Sequence, residues 1–177
     1  KECNRKYECT GENAAFCNHM KNILVAKYGA AEGCLKESRI RHSMGVANFL
    51  FAYAKSHDWS KEETEDLYLT GLLHDIGYID NPKGTDHGRL GAEILKRNGL
   101  NAEICELISC HGRFIENPSR KQALLWLADL CVNRDGDYIG YQKRYESIKE
   151  RYKNDPERLF QVYRILEYLQ IHFSEYR

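Results

Sequence analysis

Proline, valine and threonine are scarce in this chain, with three Pro, four Val and four Thr among 177 residues. Residues that crowd the preceding helical turn are therefore few, whereas Leu occurs 18 times. That imbalance excludes a strand-rich fold and points to an all-α chain. An excess of charge is missing too, since 26 Lys and Arg balance 26 Asp and Glu. A general polyanion binder needs surplus positive charge to exchange for counterions, so nucleic acid is not an expected partner. No stretch approaches the roughly 18 apolar residues that cross a bilayer, and no charged-then-apolar signal peptide opens the sequence. The expectation is a cytoplasmic protein with no membrane partner. The chain begins at Lys1 rather than Met, which points to processing, tag removal or excision of a domain.

Seven Cys is an odd number and cannot all pair within one chain. Cys105, Cys110 and Cys131 sit in apolar runs and read as small buried hydrophobes of a reducing compartment. Cys3, Cys9, Cys17 and Cys34 fall in the first 34 residues. Cys3, Cys9, Cys17 and His19 lack the Cys-x-x-Cys knuckle of a zinc site, and free thiols or an adventitious disulfide explain them better.

No internal repeat, low-complexity segment or dividing linker is present. Residues 1–34 read as a Cys-containing extension with a first helix over 13–28. Residues 35–177 read as the main domain with its C-terminal helices, the two packed as one domain. A second helix is expected over 35–56. Ser60 and Glu63 make a capping-box pair that opens a third helix, which ends near Asp75. Asp86 is a plausible N-cap for the next helix, and Asn101 caps another that reaches His111. Pro118-Ser119 introduces an apolar helix to about Val132. Two amphipathic helices follow, near 141–152 and 156–174. The sum is a bundle of about eight helices.

Certain His and Asp residues stand on faces that should be buried. His42 precedes Val46, Phe49 and Tyr53 at helical spacing, and His74 follows Leu67, Thr70 and Gly71. His87 is followed by Leu90, Gly91 and Ile94; His111 follows Ile104, Leu107 and Ile108. Each series has the i, i+3/i+4, i+7 pattern that turns an imidazole inward. Asp129 is the only charge in the run from Ala123 to Val132, and a carboxylate buried there is costly unless cations or donors meet it. Asp75 supplies a second carboxylate beside His74. One inward His is usually a core residue bonded to a carbonyl. Five helices that each contribute one are explained together by metal binding, because imidazole and carboxylate suit divalent ions. Four His and two Asp exceed the ligands of one catalytic ion, so two adjacent divalent ions with a carboxylate between them are expected, with Fe, Mn, Co or Mg as candidates.

The ordered series His42, His74-Asp75 and Asp129, with Arg39-Ile40-Arg41-His42-Ser43 and Asp86-His87-Gly88-Arg89-Leu90-Gly91-Ala92, resembles the HD-domain metal-dependent phosphohydrolases over residues 36–152. The resemblance implies an HD-domain helical bundle. It assigns the first metal to His42, His74, Asp75 and Asp129, and makes His87 and His111 the added ligands of two-metal members, with Asp75 bridging. His74 and Asp75 are then the catalytic pair. Among subfamilies the spacing is similar to the symmetrical dinucleoside tetraphosphate hydrolases and to small HD proteins. Two departures stand out: Ile76-Gly77-Tyr78 follows the His-Asp pair where those hydrolases carry a Lys, and the Gly-Tyr-Pro motif of the cyclic-dinucleotide phosphodiesterases is lacking.

Arg89, Arg113 and Arg134 lie just beyond proposed ligands, and their forked donors suit the phosphate of a substrate. Singly, each is better explained by a surface or structural ion pair; Arg113, two residues after His111 at a helix terminus, is the preferred candidate of the three. His57-Asp58, in a polar turn before Ser60, reads as solvated, and His172 as packing. The Tyr-rich C-terminal helices either cover the bundle or make the contact of a homodimer. The expected activity is hydrolysis of a phosphoester or phosphoanhydride in a small phosphorylated substrate, with a nucleotide as the leading case. A di-iron oxygenase of HD type uses the same ligand types, and a non-catalytic nucleotide-binding HD sensor is the reading outside enzymes.

Overall fold

The computed structural model describes residues 37–79, 84 and 86–177. The expected helix over 13–28, with Cys3, Cys9, Cys17, His19 and Cys34, lies outside the described residues. Within them are seven α-helices: α1 (Glu37–Ser56), α2 (Lys61–Leu73), α3 (His87–Arg97), α4 (Ala102–Cys110), α5 (Arg120–Cys131), α6 (Tyr141–Arg151) and α7 (Pro156–His172). Two 3-10 turns cover Ile76–Tyr78 and Ser174–Tyr176. No strand occurs among the described residues, and the only extended pairing is an isolated antiparallel bridge between Val132 and Tyr138. The fold is all-α.

Local chemistry explains most helix starts. Ser60 Oγ accepts from the Glu63 amide while the Glu63 carboxylate accepts from the Ser60 amide, which is the expected capping box. Asn101, Ser119 and Asp155 each accept a backbone amide at the start of α4, α5 and α7. Asp86 departs from expectation. It takes a left-handed backbone conformation and makes no side-chain cap; its carboxylate turns to Arg89 instead.

Helix α5 is the axis of the fold. It touches α1, α2, α4, α6 and α7, and residues 122–128 are all buried, with Trp126 at their centre. A helix apolar all round needs neighbours all round, and the amphipathic helices supply them. Helix α1 presents Val46, Ala47, Leu50 and Ala54 to this core, with Phe49 and Tyr53 packed at its edge. Cys105 and Cys131 are buried and Cys110 half-buried, all three as free thiols. Burial pushes the Cys131 thiol up to about 12, so it is an inert filler. His57 is exposed and stacks on Tyr53, while His172 is exposed and packs on Tyr168. None of the described helices is long and apolar enough to cross a membrane.

Candidate metal centre

The six inward residues come from five places in the chain, and the local backbone fixes each one. His42 stands in the second turn of α1 and donates from Nδ1 to the Asn133 carbonyl, 3.1 Å away. That carbonyl belongs to a tight turn in which Asn133 Oδ1 accepts the amides of Asp135 and Asp137. The turn sits on α1 at Gly45, where a Cβ would lie 2.5 Å from the Gly136 carbonyl oxygen. His74 follows α2 and donates from Nδ1 to the Gly71 carbonyl at 2.7 Å. Asp75 comes next, at the head of the 3-10 turn. His87 opens α3 with Nδ1 on the Gly84 carbonyl at 2.9 Å. Gly77 lets the 3-10 turn lie against that helix start, since a Cβ there would run into the His87 carbonyl oxygen. His111 closes α4 with Nδ1 on the Ile108 carbonyl at 2.6 Å. Asp129 projects from the last turns of α5.

A carbonyl oxygen only accepts, so all four imidazoles carry a proton on Nδ1. Each neutral ring therefore presents its lone pair at Nε2. These four atoms converge on two carboxylates. His42 Nε2 is 2.9 Å from Asp129 Oδ1, and His74 Nε2 is 3.6 Å from Asp75 Oδ2 and 3.9 Å from Asp129 Oδ1. His87 Nε2 and His111 Nε2 lie 3.4 and 3.6 Å from Asp75 Oδ1 and 2.9 Å from each other. Asp75 thus faces one set of histidines with each oxygen. Arg39 Nη1 donates to its Oδ2 at 2.6 Å, and the same guanidinium lies 3.5 Å from the Tyr78 ring centroid.

Lone pairs set against carboxylate oxygens repel unless a proton or a cation lies between them. His74 Nε2 is fully buried and bonds to nothing among the described residues. A buried ring nitrogen without a partner costs about 1–3 kcal/mol, which a metal ion would recover. Nitrogens bound to one ion at about 2.1 Å and at right angles stand about 3 Å apart, which matches His87 and His111. Three overlapping groups, His42/His74/Asp75, His74/His111/Asp129 and Asp75/His87/His111, each have donor atoms within 4.8 Å of one another. The donor set fits divalent metal.

The electrostatics keep His74, Asp75 and Asp129 unprotonated. Burial pushes His74 down to about 4, against the upward pull of Asp75 and Asp129. Burial pulls the Asp75 carboxyl up, but His74, His111, His87 and Arg39 together hold it well below the usual carboxylate range. The same contest, won by the His42 bond and the His74 charge, depresses Asp129. His111 moves the other way: burial lowers it, but Asp75 and Asp129 outweigh that and raise it. In the absence of metal, His111 is the ring best placed to take the proton that reconciles the cluster.

All six expected ligands come together. Two details differ from the sequence reading. The Asp129 side chain is 27% exposed rather than buried, so the cluster opens to solvent at that carboxylate. Arg89 does not turn to the cluster; it is half-exposed and paired with Asp86 and Glu93 on α3. Arg113 is exposed on the turn after His111. Arg134 is exposed after α5, within the electrostatic reach of Arg39, Arg151 and Tyr152. Arg39 was singled out by no spacing rule as a site residue, yet it contacts Asp75 directly. Its position one helical turn before His42 is the signal that would have found it.

The chain is similar to proteins named Ribonuclease Y from Fervidobacterium nodosum, with 35% identity over 47% of this chain and 18% of that one. A second Ribonuclease Y, from Mycoplasma mycoides, is 34% identical over 63% of this chain and 20% of its own length. The uncharacterised protein MJ0778 of Methanocaldococcus jannaschii is 31% identical over 42% of this chain and 45% of that protein. The chain therefore spans less than half the length of each of these relatives. No solved structure matches it. The HD domain family matches residues 39–165, which include every member of the cluster, and the chain belongs to that family.

Proposed function

We propose that this protein is a metal-dependent phosphohydrolase that cleaves a phosphoester or phosphoanhydride bond of a small phosphorylated substrate, with a nucleotide as the favoured class. The observation that carries this reading is the convergence of four Nε2 atoms on Asp75 and Asp129. HD domains bind divalent metals and are mostly metal-dependent hydrolases, which supports the class of chemistry. The name Ribonuclease Y, borne by two relatives, describes phosphodiester cleavage and supports the same bond type. The motif spacing further supports kinship with the symmetrical dinucleoside tetraphosphate hydrolases.

His42, His74, Asp75 and Asp129 would hold one ion, and Asp75, His87 and His111 a second, with Asp75 shared. Ions bound there would polarise a phosphoryl oxygen and make an adjacent water more acidic. The chain's own groups prepare the site. The Nδ1 bonds to Asn133, Gly71, Gly84 and Ile108 fix the tautomer and orientation of every ring. Arg39 locks the Asp75 carboxylate so that Oδ1 and Oδ2 face different histidines. The partial exposure of Asp129 marks the side from which substrate and water reach the cluster.

The test is a hydrolysis screen of purified protein loaded separately with Mn, Fe, Co or Mg, over mono-, di- and dinucleotides and short RNA, with metal content measured in parallel. Phosphate or nucleotide release in at least one pairing is expected, and its absence from every pairing would sink the proposal. Release from RNA alone would keep the chemistry and replace the substrate class.

A further inference from the structure

Beside the histidine and carboxylate cluster lies a group of three arginines, one of them buried, that the reaction chemistry has not used. Arg144, on α6, is 6% exposed. Its Nε is buried and bonds to nothing, and no carboxylate stands within ion-pair distance of it among the described residues. A cation in that position is costly unless something supplies the missing negative charge. The cost is compounded by its neighbours. Arg151, half-buried, stands two turns further along the same helix, and Arg134, exposed, follows α5. Burial lowers the Arg144 guanidinium, and Arg151 and Arg134 lower it further. Arg134 is in turn disfavoured by burial, Arg151 and Arg39. The countercharges that Arg144 feels are Asp129 and Asp75, so this group borders the candidate metal centre.

Tyrosines flank both groups. The Arg151 guanidinium lies 5.7 Å from the Tyr152 ring centroid, and Arg39 lies over the Tyr78 ring while holding Asp75. Yet Arg134, Arg144 and Arg151 make no ion pair with either carboxylate. They are offset from the place where a phosphoryl group would meet the metal ligands.

We propose that Arg134, Arg144 and Arg151 form a subsite for a second, non-reacting phosphate, so that the preferred substrate carries at least two adjacent phosphate groups. The planar fork of guanidinium donors suits phosphate oxygens, and three such forks with no acidic ion-pair partner among the described residues form an anion site awaiting its ligand. A nucleoside diphosphate, a longer phosphate chain or free pyrophosphate all present that chemistry. The proposal rests on the phosphohydrolase reading, which places the reacting phosphate at Asp75 and Asp129.

The experiment uses the full chain with the metals it carries as purified. Imidodiphosphate, whose P–N–P bridge resists hydrolysis, and orthophosphate are titrated by calorimetry into wild type, Arg134→Ala and Arg151→Ala. The two alanine variants are expected to keep wild-type metal content and to lose about tenfold in imidodiphosphate affinity, with orthophosphate affinity changed less than twofold. Arg144→Met provides the readout that a merely structural role would not give. Without added anion it should melt higher than wild type, because an uncompensated buried charge is gone, and imidodiphosphate should no longer raise its melting temperature. Unchanged imidodiphosphate affinity in both alanine variants, or an Arg144→Met protein still stabilised like wild type, would overturn the subsite. Arginine-dependent imidodiphosphate binding without turnover of any phosphorylated compound would uphold the subsite and defeat the hydrolase reading. Hydrolysis with arginine-indifferent binding would do the reverse.

Discussion

The histidine and carboxylate cluster and the arginine rim beside it are both concentrations of ionisable groups around buried members, but they are held in opposite ways. In the cluster every ring is tied by Nδ1 to a backbone carbonyl, and Asp75 has an arginine of its own. In the rim, Arg144 has an unbonded Nε and neighbours of its own sign. The cluster has its orientation fixed and its charge left negative at the tip, where a cation belongs. The rim has its charge left positive, where an anion belongs. A fold that sets two half-completed sites of opposite sign side by side is arranged for ligands that complete both. A metal and a phosphate chain are such a pair.

The largest effects should come from breaking the cluster. Asp75 faces histidines with both oxygens, so Asp75→Ala should empty the site of metal and bring hydrolysis to background. His87→Ala removes a donor from one side only and should leave about one ion per chain, against about two in wild type. Elemental analysis of the three proteins checks the ordering. Wild type that never exceeds one ion, with metal in excess, would show that Asp75 is not shared. His87 and His111 would then be free to serve substrate.

A smaller loss is expected one step outward. Arg39 touches no proposed substrate position, but it pins Asp75 and stacks on Tyr78, on the side of the cluster that leads to the rim. Arg39→Ala should lower metal affinity or turnover by about 10–100-fold, as is usual when the partner of a ligand is removed. The variant should still fold, since Arg39 lies outside the apolar core around α5. Metal titration followed by steady-state kinetics separates the two losses. Wild-type values in both would mean that the backbone alone orients Asp75.

The contrast between the two regions also explains what could be read from sequence. His42, His74, His87, His111 and Asp129 were legible because a ligand-type residue at helical spacing among Val, Leu and Ile breaks an apolar pattern, and such a break has few structural causes. The capping pair Ser60 and Glu63 and the α5 run, apolar from Ala123 except at Asp129, were legible because local pattern and local structure agree. The rim was not. Arg144 sits in Tyr141-Gln142-Lys143-Arg144-Tyr145, where a charge every few residues describes an ordinary solvated face, and only tertiary packing buries it. Arg39 was hidden because its role is set by a contact with a residue 36 positions away. The exposure of Asp129 is likewise a property of how the helices pack, which no single run encodes. Asp86 misled because a capping residue was expected from identity alone, whereas its left-handed backbone and the pull of Arg89 decide what it does.

The smallest expected effect tests whether arginine near a ligand matters by sequence position or by place in the fold. Arg89 is two residues from His87, nearer in sequence to a proposed ligand than Arg134 or Arg144 is. In the fold it is half-exposed and spends its donors on Asp86 and Glu93, on the outer side of α3. Solvent screens such pairs, and holding long side chains in one geometry offsets most of their gain. Arg89→Ala should therefore change the melting temperature by less than about 2 °C and leave kcat/KM within about twofold of wild type. It should also leave imidodiphosphate affinity untouched where Arg134→Ala weakens it. The two variants remove the same guanidinium, so a shared loss of affinity would mean that any positive charge near the cleft suffices. A loss confined to Arg134→Ala would mean that the anion is held by specific donors at the rim.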